Sequence, residues 1–80
     1  MVKVLAKSKL SMPMRALLGK LDETRRWLTW TYGSGFVIKH KGTVLFWTPA
    51  TVRDEALAFG FIDDRGRITA LGRAALVEDE

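Results

Sequence analysis

Apolar residues recur along this chain with a changing period, and each change marks the passage from one element to the next. Met14, Leu17, Leu18 and Leu21 stand at i, i+3, i+4 and i+7, which places them on one face of an amphipathic helix. Ser11 offers a capping hydroxyl ahead of this face, and Pro13 is tolerated in a first turn. Gly19 weakens such a helix without forbidding it. The pattern predicts a helix over 12–23. The period then shortens. Trp27-Leu28-Thr29-Trp30-Thr31-Tyr32 is built of residues that suit a pleated surface, although Trp27 and Leu28 could also extend the helix. Gly33-Ser34-Gly35 reads as a turn, Phe36-Val37-Ile38-Lys39 as a second strand, and His40-Lys41-Gly42 as a hairpin turn. Thr43–Trp47 is apolar on both faces, so it is expected at the centre of a three-stranded meander.

Thr48-Pro49 then signals a helix start, with a hydroxyl cap followed by proline at the first helical position. Val52, Ala56 and Phe59 give that helix its apolar face over 49–59, and Gly60 stands where a C′ glycine belongs. Phe61-Ile62, the turn 63–66 and Arg67-Ile68-Thr69 read as a small hairpin. A last helix is expected over 70–77, with 78–80 frayed and 1–10 forming a basic arm or short strand. The fold class expected is α+β, a winged-helix-like single domain over 1–80 with three helices, a central antiparallel meander and a small C-terminal hairpin. The core is expected to hold Leu17, Leu21, Ile38, Leu45, Trp47, Val52, Phe59, Ile62 and Leu71. The tryptophans in general read first as core residues, given how much apolar surface each carries.

Composition sharpens this picture. Eighty residues accommodate one hydrophobic core, and a 48% hydrophobic content argues against disorder. Without cysteine there is neither a disulfide framework nor a thiolate metal site, which favours a reducing, cytoplasmic setting. No apolar run approaches the roughly 18 residues of a membrane span, and no export signal is read near the start.

The net charge of +4 is unevenly spread. Residues 1–48 set nine Lys or Arg against Asp22 and Glu23, whereas residues 49–80 set four Arg against seven acids. The first part suits a polyanion and the second does not. Catalysis is not expected. His40 is the single histidine and sits between two lysines at a turn, where nothing orients it for proton transfer. The carboxylates come as exposed pairs, no zinc ligand set is present, and no glycine-rich phosphate loop precedes a helix. No cofactor is expected either.

The stretches Thr51-Val52-Arg53, Gly60-Phe61-Ile62 and Ile68-Thr69-Ala70-Leu71-Gly72-Arg73 resemble the closing segment of winged helix-turn-helix proteins, in particular the short phage and prophage members. The resemblance covers roughly the last 30 residues, and much of its pattern encodes packing, with Gly60 for a helix stop and Gly72 for a close approach. It implies that 49–59 is a recognition helix in which Thr51 and Arg53 would read bases. It also implies that 61–69 is a wing, with Arg65 and Arg67 as backbone contacts. Asp54 and Glu55 outweigh Arg53 on that helix, so the phosphate attraction that drives nucleic-acid binding is expected from the basic first half. There, Lys39 and Lys41 are two apart, on one side of a strand and its turn, and Arg25 and Arg26 lie beside Trp27 and Trp30. The expected partner is nucleic acid, DNA in preference to RNA, bound by a small regulatory module. The alternative, from the acidic helix and tail, is a protein-interaction module such as a phage-encoded inhibitor of a host nucleic-acid machine. A homodimer is compatible with both readings, and neither requires a membrane.

Overall fold

In the computed structural model, which describes residues 10–79, helix α1 (Met12–Thr24) leads into three strands, β1 (Leu28–Thr31), β2 (Gly35–His40) and β3 (Thr43–Thr48). Helices α2 (Ala50–Ala58) and α3 (Ala70–Asp79) follow. The expected α+β order of helix, meander, helix and helix is therefore present. The basic arm expected over 1–10 falls, apart from Leu10, outside the described residues.

α1 begins as its sequence implies: the Ser11 hydroxyl accepts the Met14 backbone N–H at 3.2 Å. Met14, Leu17, Leu18 and Leu21 are all buried along its inner face. The helix stops at Arg25, which takes a left-handed conformation (φ 59°) and donates its N–H to the Leu21 carbonyl at 3.0 Å. Trp27 and Leu28 thus leave the helix and do not extend it.

The sheet is an antiparallel meander in the order β1-β2-β3, so β2 is central and Thr43–Thr48 is an edge strand. The expectation that Thr43–Trp47 would be central is corrected. The both-face burial that marks a central strand lies instead in β2, where the neighbours Val37 and Ile38 are each 0% exposed. β2 and β3 are joined by Lys41-Gly42, both at positive φ (52° and 82°), a type I′ turn whose twist matches that of its strands.

Four residues named for the core are about half exposed: Leu45 at 42%, Trp47 at 56%, Phe59 at 58% and Leu71 at 54%. Leu45 is displaced by an irregularity in the ladder. Ile38 pairs with Phe46 and Lys39 with Val44, so Leu45 is the extra residue of a β-bulge and the alternation slips there. Phe46 and Thr48 then lie closer to the interior while Trp47 lies outward. Phe59 caps α2 and packs on Phe61, and Leu71 sits in the first turn of α3. The observed core joins Leu10, Met14, Leu17, Leu18 and Leu21 to Leu28, Ile38, Val52, Ala56, Ile62 and Ile68. α1 occupies its middle, packed against α2, α3 and β3, while α2 packs on β2.

Thr48 does not cap α2. It is buried at the end of β3, and the N-cap is Pro49, so the helix starts at Ala50. Its other end follows expectation. Gly60 (φ 80°) sends its N–H to the Leu57 carbonyl and Phe61 to the Ala56 carbonyl, the paired bonds of a Schellman stop. The small hairpin expected over 61–69 is not formed: Ile62 and Ile68 make one isolated bridge, and the segment is a loop. Around that bridge the Asp63 N–H donates to the Arg67 carbonyl and the Thr69 N–H to the Phe61 carbonyl, each at 2.9 Å, and the Asp63 carboxylate caps the turn between them. The Thr69 hydroxyl starts α3, accepting from the Gly72 N–H at 3.0 Å and donating to the Gly60 carbonyl at 2.6 Å. Gly72 makes the close approach its position suggested, since a Cβ there would overlap the Phe61 carbonyl.

α3 also runs past its expected end at Val77. Asp79 is not frayed: its side chain is 1% exposed and is gripped by Arg15, whose guanidinium binds both its carboxylate and its backbone carbonyl. That clasp joins the last turn of α3 to the first turn of α1.

Candidate nucleic-acid interface

The sharp left-handed corner at Arg25 brings Arg25 and Arg26 out of the end of α1 just before the sheet begins. Two more arginines reach the same place from far along the chain. The 61–69 loop is pinned against β1, with the Leu28 N–H donating to the Gly66 carbonyl at 2.9 Å, and this sets Arg67 beside Trp27. Arg73 arrives from α3. Arg25, Arg26, Arg67 and Arg73, with Asp22, Leu21, Trp27 and Ile68, line a cleft of about 310 Å³.

Trp27 organises this cleft. The Arg26 guanidinium lies 4.6 Å from the centre of its ring and that of Arg67 lies 6.0 Å from it, both within cation–π range. Arg26 is further fixed by its Nε, which donates to the Lys39 carbonyl at 3.0 Å. Arg73 meets Asp22 at 3.3 Å in an ion pair with both side chains half exposed. Four guanidiniums against one carboxylate leave the cleft strongly positive.

Asp63 sets the geometry of the loop that carries Arg65 and Arg67. Its Oδ1 accepts the backbone N–H groups of both residues at 2.9 Å. The bond from Arg67 is the main reason its carboxyl is held below the ordinary value, with the Arg65 bond and the two nearby cations acting in the same direction against partial desolvation. The acids beside Arg65 and Arg67 are thus in part structural, because they shape the turn.

The residues singled out from the sequence separate into groups. Arg25, Arg26 and Arg67 come together at the cleft. Lys39 touches this region through its carbonyl, while Lys41 is exposed in the hairpin turn at positive φ, so strand alternation does not carry from one lysine to the other. Arg65 is exposed in the 63–67 turn. Thr51 is exposed on α2, and Arg53 is engaged within the molecule by Asp54 at 3.0 Å and the Phe36 ring at 4.7 Å. The element directly before α2 is β3, so α2 has no helix immediately ahead of it in the chain. Arg73, Trp27 and Asp22 join the site only in the folded chain. Arg73 stood within the Leu71-Gly72-Arg73 stretch, but its approach to Arg25 depends on how α3 packs on α1.

A second, apolar groove of about 430 Å³ lies between the start of α1, the end of α2 and the length of α3, with Leu10, Met14, Phe59, Phe61 and Leu71 in its walls. Among the described residues no group of three or more His, Cys, Asp or Glu could hold a metal ion, and no helix is long and apolar enough to cross a membrane. The chain matches no known protein family, no curated protein and no solved structure.

Proposed function

We propose that the protein is a nucleic-acid-binding module, cytoplasmic and without catalytic activity of its own, that engages the phosphate backbone through the arginine cleft. The observation that carries this reading is the convergence of Arg25, Arg26, Arg67 and Arg73 from three separate segments around the half-exposed Trp27. Evenly scattered cations would only solubilise the fold. A concave cluster concentrates the field and aims rigid, forked donors that suit phosphate oxygens. The likeness of the C-terminal stretch to short phage winged helix-turn-helix proteins points to DNA, with Arg65 and Arg67 in the place of wing contacts. Any base reading would fall to Thr51 and to Arg53 once released from Asp54.

The test is fluorescence anisotropy with duplex and single-stranded DNA at two salt concentrations. Arg25→Gln, Arg26→Gln and Arg67→Gln should each weaken binding, and each lost phosphate contact should flatten the log–log salt slope by about 0.9 on duplex. Lys39→Gln and Lys41→Gln should weaken it less, and neutralising Asp54 and Glu55 should leave it unchanged or strengthen it. Failure of micromolar protein to bind any duplex or single strand at low salt would overturn the proposal.

A second reading, a protein-interaction module, draws on the apolar groove and on Glu55 at its edge. It makes the reverse claim for the same variants: neutralising Asp54 and Glu55 would impair binding of a host protein, and the arginine variants would be silent.

A further inference from the structure

Trp27 is the aromatic residue of the cleft, and the simplest role for it would be a platform for a base. The geometry argues for another role. Its ring already carries Arg26 at 4.6 Å and Arg67 at 6.0 Å, so it fixes the direction of two guanidiniums. Arg26 spends only Nε on the Lys39 carbonyl, and Arg67 makes no side-chain hydrogen bond or ion pair among the described residues. Both residues line the same cleft, and forked N–H donors that converge on one cleft match the tetrahedral oxygens of a phosphoryl group.

Asp22 is the cleft's one carboxylate, and its position is informative. It lies in the last turn of α1 together with Glu23, where negative charge opposes the helix dipole. Glu23 is answered within the helix by Lys20 at 3.9 Å. Among the described residues Asp22 is answered only by Arg73, 51 residues away in sequence, through a single exposed contact of 3.3 Å. Such a pair is weak and exchanges its partner readily.

Building on the nucleic-acid reading, we infer that the cleft is a seat for a single phosphoryl group in which Asp22 is a built-in competing anion, holding Arg73 until phosphate replaces it. The phosphoryl group is either a backbone diester or a terminal monoester. In both cases its oxygens take the place of the Asp22 carboxylate on Arg73 while Arg26 and Arg67 hold the far side. Asp22 thereby sets the threshold affinity of the site and disfavours anions without enough acceptor oxygens to engage Arg26, Arg67 and Arg73 together.

The test uses the full chain labelled with 15N. Sodium phosphate, against sodium chloride at matched ionic strength, should shift the Trp27 indole resonance and the Arg26, Arg67 and Arg73 Nε–H resonances, while chloride should not. Asp22→Asn should tighten phosphate binding roughly two- to fivefold, the range open to removal of an exposed ion pair. Glu23→Gln makes the same change in net charge outside the cleft and should leave affinity nearly unaltered. Adding Arg73→Gln to Asp22→Asn should abolish the gain. Equal tightening by Asp22→Asn and Glu23→Gln, no tightening by Asp22→Asn, or persistence of the gain without Arg73 would each overturn the inference. Short single-stranded DNA with and without a 5′-phosphate separates the sources: preference for the phosphorylated strand assigns the seat to a terminal monoester, and equal binding to the backbone diester. If inorganic phosphate behaves as described but no DNA binds, the nucleic-acid reading fails and the phosphate seat stands. If DNA binds and Asp22→Asn has no effect on either ligand, the seat fails and the reading stands.

Discussion

Leu28 donates its backbone N–H to the Gly66 carbonyl at 2.9 Å, while Gly66, at φ 83°, leaves no room for a side chain against the Leu28 backbone. This one contact joins the 61–69 loop to the first residue of the sheet and so places Arg67 beside Trp27. Gly66→Ala meets two obstacles at once. The backbone conformation is strained for any L side chain, at about 1–3 kcal/mol, and the new Cβ would overlap the Leu28 carbonyl. The variant is expected to melt several degrees lower and to shift the Trp27 indole NMR signal. An unchanged indole signal would show that the loop is not held through this contact.

Burial separates two leucines that look alike in the sequence. Leu17 is 0% exposed in the core cluster, and Leu45 is 42% exposed on the bulge of β3. Leu17→Ala should cost about 2–5 kcal/mol, a large fraction of the stability of so small a domain. Leu45→Ala should cost under about 1 kcal/mol. Urea denaturation of the two variants checks the difference, and comparable losses would place Leu45 back in the core.

Arg15 and Asp79 close the helical layer across 64 residues of sequence. The carboxylate is buried and the guanidinium is half exposed, so deleting the arginine deprives a desolvated charge of a close counter-ion. Arg15→Ala is expected to destabilise by about 1–3 kcal/mol. Asp79→Asn, which keeps an acceptor and removes the charge, should cost less. Chemical denaturation of both reports the order, and the reverse order would mean that the pair is incidental.

The Asp63 carboxyl is held below its ordinary value, above all by the Arg67 N–H. A depressed folded-state value stabilises the fold above the unfolded aspartate value of about 3.9, and that contribution is lost as pH falls through the lower folded value. Asp63→Asn should therefore flatten the fall in melting temperature as the pH is lowered below about 4. An acid limb with the wild-type slope would show that other carboxylates govern it.

The sequence by itself determined the elements whose signals are local. The i, i+3, i+4, i+7 face of Met14, Leu17, Leu18 and Leu21, the Ser11 cap and the Gly60 stop all act within a turn or two, and each is found where its chemistry implies. Lys41-Gly42 likewise carries its own turn type. Tertiary structure decided the rest. Whether Thr43–Thr48 is central or edge depends on which strands flank it, and the bulge that turns Leu45 outward is a property of the β2–β3 ladder that no single strand encodes. Residues 61–69 carry hairpin signals, yet the pairing stops at one bridge, because Gly66 is drawn to Leu28 and the Asp63 carboxylate takes the Arg65 and Arg67 N–H groups. The same holds for the candidate site. Arg25 and Arg26 were visible beside Trp27 as neighbours in sequence, but the cleft exists because packing of α3 and the 61–69 loop carries Arg73 and Arg67 to them across more than forty residues. Such long-range convergence leaves no period in the chain, because it is fixed by burial of apolar faces and not by the charged residues it brings together.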